Sequence, residues 1–317
     1  MPEKIKLGIS ACLLGHDVRY SGGHARDLFV IETFAPYVEF VPVCPEVESG
    51  MPVPREAIHL VGAGEEPRLL GVESKLDFTR SLQEWAAKRL EKLESENLCG
   101  FIFKKNSPSC GLRRLSVSRE DQGPPQKNGV GIFARAFGER FPLIPAEEDG
   151  HLHDASSREH FIERIFIMQR WRQLLREPLS RGRLIDFHTR HKLIFLAHSP
   201  KGYRSLGKLV AGLDRSELDT AGRKYHEEMC ATLQRKTSPS KHVNVMQHML
   251  GYFKRQLTRD EKQEMLDLIE NFRAGRLPLI APMTMFQHYT RKYNYTYLAG
   301  QHYVEPHPLE LKLRYHC

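Results

Sequence analysis

Short apolar runs rich in Val, Ile and Phe stand at 5–10, 38–43, 100–104 and 141–145, each of strand length. Between them the apolar positions take up a helical spacing. From Thr79 to Leu98, Leu82, Trp85, Ala86, Leu90 and Leu93 recur at intervals of three and four, and Gly100 follows as a stop. Strands alternating with helices predict a parallel sheet. The stretch EDQGPPQKNGVG, beginning at Glu120, has the Gly, Pro and Asn content of a loop. After about residue 150 the strand pattern stops. Asp154 with Ser157 opens a helical segment that runs to Glu177 and is closed by Pro178. Ser216 with Asp219, and Thr258 with Glu261, match the pattern in which a side chain and the backbone cap each other, and Gly275 ends the last segment. The polar run PAEEDGHLHDASS joins the halves. The reading is a Rossmann-like α/β domain over 1–150 and an all-α domain over 151–317, with no internal repeat.

Charge sharpens this division. The net charge is +8, yet residues 1–150 carry 19 Lys and Arg against 22 Asp and Glu, leaving 28 against 17 for the rest. Histidine divides the same way, three in the first half and thirteen in the second. A near-neutral working domain tied to a basic docking domain suggests a phosphate backbone as partner, the plainer alternative being a solvated basic face. The charged N-terminus MPEKIKLGIS does not read as a signal peptide, and no apolar run has the length of a membrane span. Six cysteines in 317 residues fit a reducing compartment with free thiols. These features predict a soluble cytoplasmic protein without an obligate protein partner.

Three of the thiols carry the candidate chemistry. Cys12, Cys44 and Cys110 each follow a strand-like run, in KIKLGISAC, VEFVPVC and GFIFKKNSPSC. In a parallel sheet such positions converge on the carboxyl edge, where these folds bind ligands. Thiolates select zinc, copper(I) or iron-sulfur clusters. Zinc sites usually show closely paired cysteines, which are absent here, whereas a cluster spans separated loops more easily. Spacing alone is equally met by buried, inert thiols. Cys99, Cys230 and Cys317 read as bystanders.

The motifs around the trio, SACLLG with VRYSGGH, PVCPEVESGMPVPR and KKNSPSCG, resemble those of the thiouracil desulfidase family over about residues 5–148. The later part, containing FHTRHKLIFLAHSPKGYRSLGKLVA, resembles a second domain often fused behind the first. Such fusions are similar to bacterial desulfidases of 4-thiouridine in transfer RNA. The resemblance implies a 4Fe-4S cluster on Cys12, Cys44 and Cys110 with one iron open. It implies a non-redox hydrolysis in which Glu46 activates water, partial burial raising its pKa, and Ser107 assists. Arg19, Tyr20, Asn106 and Ser109 are the expected substrate contacts, with His24 a further pocket candidate. Ser21 departs from the acidic residue or Asn that commonly follows the tyrosine. Without chemistry, Glu46 reads as a loop carboxylate paired with Arg55 or Arg19, and Ser107 as a turn hydroxyl.

The expected contacts of the basic domain with transfer RNA are Arg190, Lys192, Lys201, Arg204 and Lys208, then Arg235, Lys236 and Lys241, then Arg291 and Lys292. Tyr293, Tyr295 and Tyr297 alternate as base-stacking rings do, or as a strand edge does. His188, His191 and His198 share one helical pattern without the carboxylate of a zinc-hydrolase signature, which favours structural or RNA-contact roles. Two rival readings remain: a desulfidase of free thiouracil or thiouridine, and an iron-sulfur sensor that binds nucleic acid without chemistry.

Overall fold

The computed structural model describes residues 3–62, 67–119, 121, 123–214, 218–308 and 314. Glu120, Ser216 and Cys317, singled out above, lie outside the described residues. The chain divides into two compact units, Met1–Phe161 and Ile162–Cys317. The first carries strands β1 (Ile5–Ser10), β2 (Val38–Val43), β3 (Ile58–Val61), β4 (Arg68–Gly71), β5 (Gly100–Phe103), β6 (Leu115–Ser118), β7 (Gln126–Gly129) and β8 (Ala146–Glu148). Its helices are α1 (Leu28–Phe34), α2 (Pro45–Glu48), α3 (Thr79–Ser95), α4 (Ile132–Arg140) and α5 (Asp149–Leu152).

Four strands form a wholly parallel sheet in the order β2-β1-β5-β8. The central strand β1 is buried along almost its whole length, as a sheet covered on both faces requires. Phe101 and Phe103, two apart on β5, point to one face and stack at 4.1 Å between centroids. There they meet Phe133 and Phe137 of α4 at 4.9–6.0 Å. Gly8 is required here, because a Cβ would lie 2.2 Å from the Phe101 ring.

Two expectations need correction. The last strand is Ala146–Glu148, not 141–145; Pro142 and Pro145 lack ladder donors, and the segment turns before pairing. The stretch EDQGPPQKNGVG, whose composition predicts a loop, contains β7, the edge of a second sheet ordered β4-β3-β6-β7. Three of its four residues are exposed, so no apolar period marked it.

The next helix, α6 (Ala155–Leu174), spans the division between the units. The second unit continues with α7 (Arg181–His198), α8 (Pro200–Ala211), α9 (Leu218–Leu233), α10 (Pro239–Tyr252), α11 (Arg259–Arg273), α12 (Ile280–Lys292) and α13 (Thr296–Ala299), and holds no strand among its described residues. Asp154 Oδ1 accepts from Ser157 N at 2.8 Å. Thr258 and Glu261 cap α11 reciprocally, and Gly275 follows with φ +70°. Tyr293 to Tyr297 form a turn leading into α13 rather than a strand edge. Among the described residues no helix is long and apolar enough to cross a membrane.

Candidate active site

The chain leaves β1 to form β2 on one side and later β5 on the other. This reversal opens a crevice at the carboxyl ends, the usual ligand position in an open α/β sheet. Cys12 lies in a short 3-10 turn, Ala11–Leu14, after β1, Cys44 caps α2 directly after β2, and Cys110 lies within the loop after β5. All three line one cavity of about 420 Å³, together with Arg19, Tyr20, Glu46, Asn106, Ser107 and Ser109. His24 is not among the lining residues; its Nδ1 accepts from Arg26 N.

Glu46 sits one residue into α2, 14% exposed at its side chain. Its Oε2 accepts from Arg55 Nε at 3.1 Å and forms a close ion pair with Nη2. Its Oε1 accepts from Ser109 Oγ at 2.6 Å, with Ser107 Oγ at 3.5 Å. The two serine hydroxyls are 2.9 Å apart. Every such partner is a donor, an arrangement that suits a carboxylate.

Arg55 joins three segments. Besides Glu46 it donates to Val18 O at 2.9 Å and Pro52 O at 3.2 Å, and its backbone N–H reaches Tyr20 O at 2.9 Å. The sequence raised it only as a partner that would silence Glu46. Lys104, which the sequence passed over, also faces the cavity, paired with Asp149 Oδ2 at 2.5 Å.

The loop carrying Cys110 is held from behind. The first amides of α4 reach it, Phe133 N to Ser109 O at 3.0 Å and Ile132 N to Pro108 O at 3.3 Å. The buried Glu148 at the end of β8 accepts from Leu112 N at 2.8 Å. Asn106 takes φ +60°, which Asn tolerates better than most residues.

Burial pushes the Cys12 thiol up to about 11, with the neighbouring Cys44 adding to the shift. Burial likewise raises Cys44 and Cys110, and Glu46 raises both further. Thiols so placed become thiolates readily only when a strongly cationic group sits among them. Among the described residues no group of three His, Cys, Asp or Glu side chains could hold a metal ion; the thiols ring a cavity rather than a point.

Lys201, Arg204 and Lys208 are exposed on one face of α8, opposite the buried Gly202, Leu206 and Val210. Arg190, Arg235, Lys236, Arg291 and Lys292 are also exposed. Several of the basic candidates have partners within the fold. Arg190 pairs with Asp186 at 2.9 Å, Lys192 lies 4.8 Å from the Tyr297 ring centre, and Lys292 pairs with Glu261 at 2.7 Å. Lys241 Nζ donates to two backbone carbonyls, His198 O and Lys236 O. The tyrosines pack internally, Tyr295 on Phe253, Tyr297 on Tyr252 and Tyr293 on Tyr289. His188 meets Tyr225 OH, His191 meets Phe187 O, and His198 joins Arg235 O and Glu163.

Comparison with known proteins places this crevice in a family. The 2-thiouracil desulfurase family matches residues 7–149, and a protein family of unknown function, DUF1722, matches residues 192–308. The chain is 37% identical over 153 residues to the uncharacterized protein YbgA of Escherichia coli (strain K12), covering 48% of this chain and 90% of that protein. It is 36% identical over 108 residues to the uncharacterized protein YbbK of Bacillus subtilis (strain 168), covering 32% and 71%. A solved structure, the 4Fe-4S-dependent thiouracil desulfidase TudS, is 29% identical, with 48% of this chain and 95% of that one covered and a TM-score of 0.39. The chain therefore belongs to the 2-thiouracil desulfurase family, whose members are enzymes acting on carbon-sulfur bonds, and carries a DUF1722 region behind that domain.

Proposed function

We propose that this chain removes sulfur from 4-thiouridine in transfer RNA by hydrolysis, using a 4Fe-4S cluster held by Cys12, Cys44 and Cys110. One observation carries the reading: three thiols delivered by three adjacent strand ends share a cavity with a carboxylate that is hydrogen-bonded to a buried serine. The residues fit the cofactor. The donor set is all sulfur, one ligand short of a four-cysteine cluster, and about 420 Å³ lies within the usual range for small-ligand sites. Held by these three thiols, the cluster would supply a sulfur-seeking Lewis acid.

The protein side chains do the rest. Glu46 accepts a proton from water as the water oxygen bonds to the ring carbon, while Arg55 fixes one carboxylate oxygen and Ser109 the other. Ser107, 2.9 Å from Ser109, extends this chain of hydroxyls towards the cavity. The carbon-sulfur bond then breaks, sulfur departs as hydrosulfide, and a carbonyl remains. Thiocarbonyl and water become carbonyl and hydrogen sulfide, with no electron gained or lost. Tyr20, 46% exposed, offers a face for the pyrimidine, and Arg19, 5.6 Å from that ring's centre, offers a cation to its oxygens or to phosphate. Asn106 completes the wall. The exposed cations of the second unit then hold the RNA backbone while the base is drawn out of its stack.

The test uses anaerobically reconstituted protein offered 4-thiouridine-containing transfer RNA, free 4-thiouridine or free thiouracil in separate reactions. Loss of thiocarbonyl absorbance and release of sulfide are followed. The expected result is turnover of the RNA at a far higher kcat/KM than of either small molecule. Preference for free thiouracil, the substrate that the family's description names, moves the substrate assignment to the small molecule. Iron-loaded protein inactive on all three overturns the enzymatic reading.

A further inference from the structure

The residues joining α7 to α8 and α9 to α10 are tied together in a way the site above does not use. His198 is the last residue of α7 and is fully buried. Its Nε2 pairs with Glu163 Oε2 at 2.7 Å, and its Nδ1 meets Arg235 O at 2.6 Å. Lys241, in the first turn of α10, donates to His198 O at 2.9 Å and to Lys236 O at 2.7 Å. Beside them the first turn of α8 packs closely on the last turn of α9, where a Cβ at Gly202 would lie 2.1 Å from Thr232 Oγ1. The bonds of His198 and Lys241 thus tie the end of α7, just before α8, to the turn after α9.

Those two segments carry exposed cations. Lys201, Arg204 and Lys208 follow His198 along one face of α8, and Arg235 and Lys236 lie in the turn. Lys241 reads from the sequence as another phosphate contact, yet two of its three donors are directed into backbone carbonyls and it is only half-exposed. Its bonds are those of a clasp.

We infer that Lys241 and His198 are positioning residues that clasp the turn after α9 to α8, so that the five exposed cations form one surface for consecutive phosphates of an RNA backbone. This deepens the transfer RNA reading given above and rests on it. A charge array binds a polyphosphate best when its spacing is set beforehand, because less ordering remains to be done on association. The buried carboxylate of Glu163 compensates the polar His198 that makes the clasp.

The experiment measures transfer RNA affinity of the full-length protein against salt concentration for four proteins: wild type, Lys241→Met, Arg235→Ala/Lys236→Ala, and the triple variant. A lone phosphate contact removes roughly one from the salt slope. As a clasp, Lys241→Met is expected to remove about two, the share of Arg235 and Lys236. It is expected to add almost nothing in the Arg235→Ala/Lys236→Ala background, because coupled residues are not additive. Hydrogen exchange supplies a readout without RNA: amides at 235–238 should exchange about tenfold faster in Lys241→Met. A slope loss of one that is the same in both backgrounds marks a direct contact and overturns the clasp, as do unchanged amides. A wild-type affinity indifferent to salt overturns the RNA reading itself.

Discussion

Arg55 is the residue on which the crevice turns. Its side chain is 5% exposed, and it binds Glu46 while reaching carbonyls of two further segments. Truncation to Ala leaves a half-buried carboxylate without its counter-ion and frees the loop that carries Arg19 and Tyr20. Displacements of about 1 Å at a reacting group cost about a hundredfold in rate. Arg55→Ala is therefore expected to lower kcat about a hundredfold while iron content stays near wild type, and added guanidinium is expected to restore part of the loss. Turnover at the wild-type rate, or iron lost in proportion to activity, counts against this role. In Glu46→Ala, iron is expected to remain while sulfide release stops. The sequence points to Glu46 through its nearness to Cys44, but Arg55, nine residues on, becomes visible only when the chain turns back. Lys241 is the opposite case: its charge is plain in sequence, whereas its carbonyl partners are products of the fold.

Among the elements, α4 determines how well the third thiol is held. Gly131 precedes this helix, and a Cβ there would lie 2.6 Å from the Ser109 carbonyl and 2.7 Å from Cys110 N. Those atoms are backbone and cannot swing aside. Gly131→Ala is expected to displace the Cys110 loop and lower the iron retained after anaerobic reconstitution several-fold. Gly138, on the exposed side of the same helix, has nothing within 4 Å of a Cβ. Gly138→Ala is expected to keep the iron and to stabilise the protein by about 1 kcal/mol in urea unfolding. Equal iron in both variants would show that the close approach has no bearing on the thiol. The elements legible in sequence are those with long or buried apolar patterns, such as β1, β2 and α3, and helices with reciprocal caps, such as α11. The second sheet was not legible. Its strands are four residues long, β7 is almost wholly exposed, and β3 meets β6 across more than fifty intervening residues. Pairing of that kind is a property of the closed fold, and local patterning carries little trace of it.

Across the whole molecule, titration should separate the two units. Burial pushes His188, His226, His302 and His307 down to about 4, and all four belong to the second. Each stays neutral when folded but binds a proton near its ordinary pKa of 6.5 once unfolded, so unfolding takes up protons between about pH 6.5 and 4. Stability is retained above that window and declines as the pH falls through it. Glu163 acts lower down. Burial works against its ionisation, yet the hydrogen bond and charge of His198, helped by Arg314, prevail and hold it at about 2. Its folded value lies below the unfolded one, so its contribution persists above about pH 4.5 and disappears towards pH 2. The chain's two tryptophans report on the units separately, Trp85 packed on Phe133 and Trp171 stacked on Tyr225 and His226. In Trp85→Phe, which leaves Trp171 as the sole reporter, the melting temperature is expected to fall by about 5 °C or more between pH 7 and 5. Trp171→Phe, read through Trp85, is expected to change less, because none of these four strongly depressed histidines belongs to the first unit. If both reporters shift together by the same amount, the buried imidazoles are not what sets the acid limit, and the loss must originate in groups common to the two units.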